Sequence, residues 1–154
     1  MNRRLKIAAV FFFVLAISFY IFSFYYLSRE PLMCFEFSCV LCEVADTPSE
    51  RMTGLMGRQS MDEDAGMLFV FDPSGFPTMW MKNTFIPLDM LWLDDDFKVV
   101  HIEYAVPCVQ MPCMSYGSPS PAKYVLELNA GYVQRHNIKV GDNAIWSSPT
   151  LFSD

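Results

Sequence analysis

The chain has 154 residues, 53% of them hydrophobic and 16% aromatic, with only 18% charged. That suffices for one domain of ordinary size with a short appendage, and it excludes a disordered or solvating chain. The formal net charge is −6; Arg3, Arg4 and Lys6 precede Ser28, so eight cations face all seventeen acids beyond it, and a body of that sign lacks the basic face a nucleic-acid partner requires.

From Ile7 to Leu27 no residue is charged. At 1.5 Å per residue a helix of that length spans roughly 30 Å, the thickness of a bilayer core. A cleavable leader has a shorter apolar region and a small-x-small exit, whereas Tyr25, Tyr26 and Leu27 fill this one. Pro31-Leu32-Met33 lacks the small residues a lipid-attachment site needs before Cys34. The expectation is an uncleaved anchor over 7–27, a short cytoplasmic N-terminus over 1–6, a linker over 28–35 and an outward-facing domain over 36–154. Arg3, Arg4 and Lys6 set that orientation, with the body outside the cell membrane.

Glu36–Ala45 is β-branched and aromatic enough for a strand. Asp46-Thr47-Pro48-Ser49-Glu50 then writes a helix start, with Thr47 as cap, Pro48 in the first turn and Glu50 completing a capping box. The helix is expected to be short, to end near Gly54 or Gly57, and to bury Met52, Leu55 and Met56. Met67–Phe71 reads as a strand closed by a turn at Asp72-Pro73-Ser74-Gly75. Thr78–Phe85 and Leu88–Leu93 follow as strands, and Asp94-Asp95-Asp96 closes a hairpin onto Lys98–Tyr104. Ala105–Pro121 is a long Pro-rich loop, Ala122–Asn129 alternates as a strand, Gly131–Asn137 suits a helical turn or two, and a last strand falls near Ile145-Trp146. Many short strands between turns indicate a mainly-β sandwich or barrel with one or two short helices, preceded by a single transmembrane helix.

Several segments also read as a familiar set. Val44-Ala45-Asp46-Thr47-Pro48, Glu50-Arg51, Gly54-Leu55-Met56-Gly57-Arg58 and Gly66-Met67-Leu68-Phe69-Val70-Phe71 come in order, followed by Trp80-Met81-Lys82-Asn83-Thr84, Ile86-Pro87-Leu88-Asp89, Tyr116-Gly117-Ser118-Pro119, Tyr124-Val125-Leu126-Glu127 and Asn129-Ala130-Gly131. Over about Cys42 to Asp142 the chain closely resembles the domain-of-unknown-function 192 family of small bacterial and archaeal proteins. The resemblance implies a compact, mainly-β fold, often exported, and brings no catalytic residue set. Cys39 and Cys42 depart from the pattern, which usually has plain aliphatic residues there.

Five cysteines in an outward-facing body imply an oxidising compartment. Cys108 and Cys113 sit in a loop that can bring them within bonding distance, and a disulfide between them is expected. Cys39 and Cys42 spell C-x-x-C, but inside a strand their side chains face opposite ways, so packing or a bond from one of them to Cys34 is the ordinary explanation. Met79, Met81, Met111 and Met114, with Cys108, Cys113 and His101, invite a reading as copper or thiol handling. Methionine at strand spacing is more often core filler, and a disulfide would remove two thiolates, so no metal or other cofactor is expected. Ser120-Pro121-Ala122-Lys123 spells S-x-x-K but lies on a strand-like run, and Asp94–Asp96 lacks the spaced ligands of a calcium loop.

Lys82-Asn83-Thr84 interrupts an apolar stretch beside Trp80. Lysine is costly to bury unpaired. It therefore either pairs structurally with Asp89 or Glu127, or lines a wet cleft suited to a sugar or small anion. The candidate ligand-binding set is Trp80, Lys82, Asn83, Thr84, Asp89 and Glu127. The first expectation is a non-catalytic binding or accessory module for a polar ligand or an envelope partner. An enzyme using Lys82, Asn83, Asp89 and His101 is the alternative, and copper or thiol handling is a third.

Overall fold

A computed structural model describes residues 12–20 and 31–147. Residues 12–20 are helical (α1). The rest of the expected anchor lies outside the described residues, and among these no helix is long and apolar enough to cross a membrane.

Pro31–Ser147 forms one compact unit. Its strands are β1 (Leu32–Phe35), β2 (Ser38–Ala45), β3 (Ala65–Gly75), β4 (Thr78–Trp80), β5 (Leu88–Leu93), β6 (Val99–Ala105), β7 (Ser115–Gly117), β8 (Ala122–Asn129) and β9 (Ile145–Ser147), with short helices α2 (Pro48–Thr53) and α3 (Tyr132–Arg135). Mainly β with a few short helices is thus the fold. Part of the stretch expected as a linker, Leu32–Phe35, is instead the strand β1, paired on both sides.

Seven strands form one sheet in the order β6-β5-β8-β3-β2-β1-β9, and β4-β7 form a separate ribbon. Asp142 and Gly141 exchange backbone hydrogen bonds with Val99 (2.9 and 2.8 Å), and Ala144 N–H donates to Phe97 (3.0 Å) just before β9. These bonds stitch one edge of the sheet towards the other, which favours the barrel-like form over the sandwich. Among the described strands only β2 and β3 pair in parallel, and α2 lies in their crossover, as a parallel pair requires.

The helix start is as the letters spelled it: Thr47 Oγ1 accepts from Glu50 N–H (3.2 Å), and Glu50 carboxylate accepts from Thr47 N–H (3.0 Å). The buried stripe is not. Leu55 is 2% exposed but Met52 is 64% exposed, because the helix ends at Thr53 and presents little of itself to the sheet. Gly54 turns the chain at φ 46°, and an added Cβ would stand 3.1 Å from the Phe69 ring. That combination requires glycine.

Two expected boundaries shift. Asp72–Gly75 is a continuation of β3 across an irregularity in its pairing with β8 and not a free turn. The Pro-rich loop holds β7, whose partner β4 lies far back in sequence. The strand expected over Thr78–Phe85 therefore stops at Trp80, and Lys82 and Thr84 make isolated bridges to Cys108.

Strand β8, third in the sheet order between β5 and β3, is buried on both faces. On one face Leu126 lies between Leu68 and Leu91. On the other, Phe69, Val125 and Trp92 form one row, and Met67, Glu127 and Met90 form the next. Leu55, Met79, Met81 and Tyr116 cover that second face and complete its apolar core. A carboxyl group therefore stands in a row of methionines.

Candidate functional site

The cover over that second face leaves a narrow cleft of about 10 Å³, room for about one water. Trp80, Lys82, Thr84 and Glu127 line it together with Arg51 and Met56. Four of the six expected ligand-binding residues thus meet, and they come from separate elements: Glu127 from β8, Trp80 from β4, Lys82 and Thr84 from the segment after it.

Glu127 is 3% exposed and has no hydrogen-bond or ion-pair partner among the described residues. Burial among apolar neighbours pushes its carboxyl up to about 8. At neutral pH it is mostly protonated, a neutral acid with a proton to donate. Thr84, also buried, makes no side-chain hydrogen bond among the described residues; its backbone N–H donates to Met81 (3.0 Å).

Lys82 is half-buried and pairs with neither Asp89 nor Glu127, contrary to the structural pairing expected. Its Nζ lies 5.0 Å from the centre of the Trp80 ring, a cation–π contact at the mouth of the cleft, where Trp80 is 41% exposed. Arg51 donates to the carbonyls of Asp46 and Val70 and lies over the Phe71 ring. Neither cation has a carboxylate partner among the described residues.

The remaining expected residues lie elsewhere. Asn83 is exposed, at φ 55°, and its backbone N–H donates to Cys108 while its carbonyl accepts from Gly57. Asparagine tolerates that left-handed conformation, which accounts for it without a ligand. Asp89 points to the opposite face of the sheet and accepts from Val133 N–H at 2.9 Å. It borders a larger, open groove of about 480 Å³ beside α3, with Tyr104 and Gln134. His101 sits against Glu103 (3.1 Å) and the Trp92 ring. Lys82, Asn83, Asp89 and His101 therefore do not form one constellation.

The sulfur chemistry divides as well. Cys108 and Cys113 lie at disulfide distance, 2.08 Å between sulfurs, and Cys34 and Cys39 at 2.11 Å. Cys42 is left as a buried free thiol, pushed up to about 12 by burial, which makes it a poor nucleophile. Met79 and Met81 are buried in the core while Met111 and Met114 are exposed, so the two Met-bearing segments do not present their sulfurs to one place.

Arg51 and Met56 were not singled out from the sequence as site residues. The available signal was that Glu50-Arg51 and Gly54-Leu55-Met56 belong to the same set of motifs as Trp80–Thr84 and Tyr124–Glu127; those motifs, distant along the chain, converge on this cleft.

Comparison with known proteins agrees with the fold. The chain is similar to a solved structure from Sinorhizobium meliloti 1021, provisionally described as a transcription regulator: 38% identity, TM-score 0.69, covering 77% of this chain and 92% of that one. It is also similar to a protein of unknown function from Novosphingobium aromaticivorans: 33% identity, TM-score 0.69, covering 75% of this chain and 84% of that one. No curated protein matches it. Residues 35–146 match the DUF192 family, described as "Uncharacterized ACR", and the chain belongs to that family.

Proposed function

We propose that the chain is a membrane-anchored envelope protein whose β domain faces outward and binds a polar ligand, or a polar group of an envelope partner, at the Trp80–Lys82–Glu127 cleft without catalysing a reaction. One observation carries this reading: Glu127 is buried, has no partner among the described residues, and lines an opening to solvent. A buried acid without a partner costs stability, and a fold keeps such a group where function uses it. The cleft admits only a small group, so a sugar ring would rest on the exposed Trp80 face and insert no more than one substituent. The anchor rests on the uncharged run Ile7–Leu27 and its flanking cations. The regulator description of the Sinorhizobium protein gives no DNA-binding reading here, since the acidic body would repel a polyanion.

Two experiments test it. A reporter active only after export, fused after Asp154, should be active; an inactive fusion refutes the orientation. A thermal-shift screen of the full chain with polar small molecules should give hits that are lost in both Trp80→Ala and Lys82→Met. Hits that survive both substitutions place binding elsewhere, for instance in the groove beside Asp89.

A further inference from the structure

We infer that the group the cleft accepts is a carboxylate carried on an apolar stem, one oxygen entering to meet the Glu127 carboxyl, the other turned to the Lys82 ammonium at the mouth, and the stem lying outside on the exposed Trp80 ring. This deepens the binding reading above and rests on it. The charged and titratable groups lining the cleft are Arg51 from α2, Lys82 from the segment after β4, and Glu127 from β8. Both cations lack a carboxylate partner among the described residues: Arg51 donates to two backbone carbonyls and lies over the Phe71 ring, and Lys82 lies over the Trp80 ring. The one acid among them is buried where ionisation is disfavoured. A cationic ligand would add a third positive charge to a cleft whose acid is mostly neutral. An anion meets two cations and two unused donors, the Glu127 carboxyl and the Thr84 hydroxyl. The narrowness admits one oxygen of a small planar head, and the exposed indole at the mouth offers an apolar surface to an aliphatic stem.

The acid must carry its proton to donate, so affinity should fall as pH rises through the Glu127 titration. With that titration near 8, only about 3% of the chain is competent at pH 9.5, and the apparent affinity should drop about 30-fold from its value at pH 6.5. Glutamine donates without titrating, so Glu127→Gln should bind with nearly equal affinity at both values.

The test follows the Trp80 indole N–H by nuclear magnetic resonance in the full-length chain in detergent micelles, titrated with butanoate, butylamine or butanol at pH 6.5 and 9.5. Butanoate should bind best at pH 6.5 and weaken about 30-fold at 9.5; Lys82→Met should abolish binding, and Glu127→Gln should remove the pH dependence. Preference for butylamine overturns the carboxylate assignment and leaves the binding cleft standing. Butanoate binding that ignores both pH and Glu127→Gln overturns the role of the proton. If none of the three probes moves the indole signal, the binding reading falls together with its ligand class.

Discussion

Asp89 and Glu127 lie on neighbouring strands, one register position apart, and both are almost fully buried, at 6% and 3% exposed. They point to opposite faces of the sheet and meet opposite fates. Asp89 accepts the Val133 backbone N–H and so ties the start of α3 to β5. Glu127 stands between Met67 and Met90 with no hydrogen-bond or ion-pair partner among the described residues, facing a cleft with room for about one water. Burial alone therefore does not mark a site. What marks it is burial without a partner among the described residues, at a cleft whose lining cations, Arg51 and Lys82, have no carboxylate partner among those residues either.

The contrast can be broken by substitution. The largest effect belongs to Glu127→Gln. The folded carboxyl titrates near 8 and the unfolded one near 4.5, so the folded state binds the extra proton between those values. The stability this proton supports is fully present below about pH 4.5 and is lost as pH rises through 8. Denaturant melts should show the parent losing stability across that window, by up to about 5 kcal/mol, while the Gln variant stays flat. Parallel curves would mean that Glu127 is solvated or paired. Asp89→Ala should go the other way, costing about 1–3 kcal/mol because it orphans the Val133 N–H; a neutral result would remove the distinction between the two acids. Gly66→Ala tests the close approach of β3 to β8 directly under Glu127. The new Cβ would stand 2.8 Å from the Glu127 carbonyl oxygen, so a loss of about 1–3 kcal/mol is expected in thermal melts. Lys82→Met should change stability least, by under about 1 kcal/mol, since a half-buried cation–π contact is all it removes from the fold.

The local parts of this architecture were legible in the sequence. The Thr47–Glu50 capping box, the alternation of Ala122–Asn129 and the Asp94 hairpin each depend on neighbours in the chain. In the last, Asp94 Oδ1 accepts from Asp96 N–H and Lys98 N–H and so fixes the turn. The misplaced strand boundaries share a cause in non-local pairing. Proline in Asp72–Gly75 looked like a stop, but β8 holds β3 on through Gly75. The ribbon β4-β7 was invisible because its halves lie on either side of β5 and β6.

The site was half legible for the same reason. Lys82 beside Trp80 announced an anomaly, and Glu127 was a possible partner. Which face Glu127 occupies follows from strand alternation, but its lack of a partner follows from Met67 and Met90 flanking it across two other strands. No local pattern carries that. Cys39 and Cys42 show the reverse: local strand geometry argued against a dithiol, and Cys39 lies at disulfide distance from Cys34 across the β1–β2 hairpin.

The central claim is that Glu127 is an unpartnered acid, protonated at neutral pH and facing the cleft. The most direct measurement is a carbon-13 titration of its carboxyl in the full-length protein, assigned by the signal missing from Glu127→Gln. The account predicts a midpoint near 8 that moves higher when butanoate is present, because the ligand needs the proton. A midpoint near 4.5, indifferent to butanoate, would contradict it.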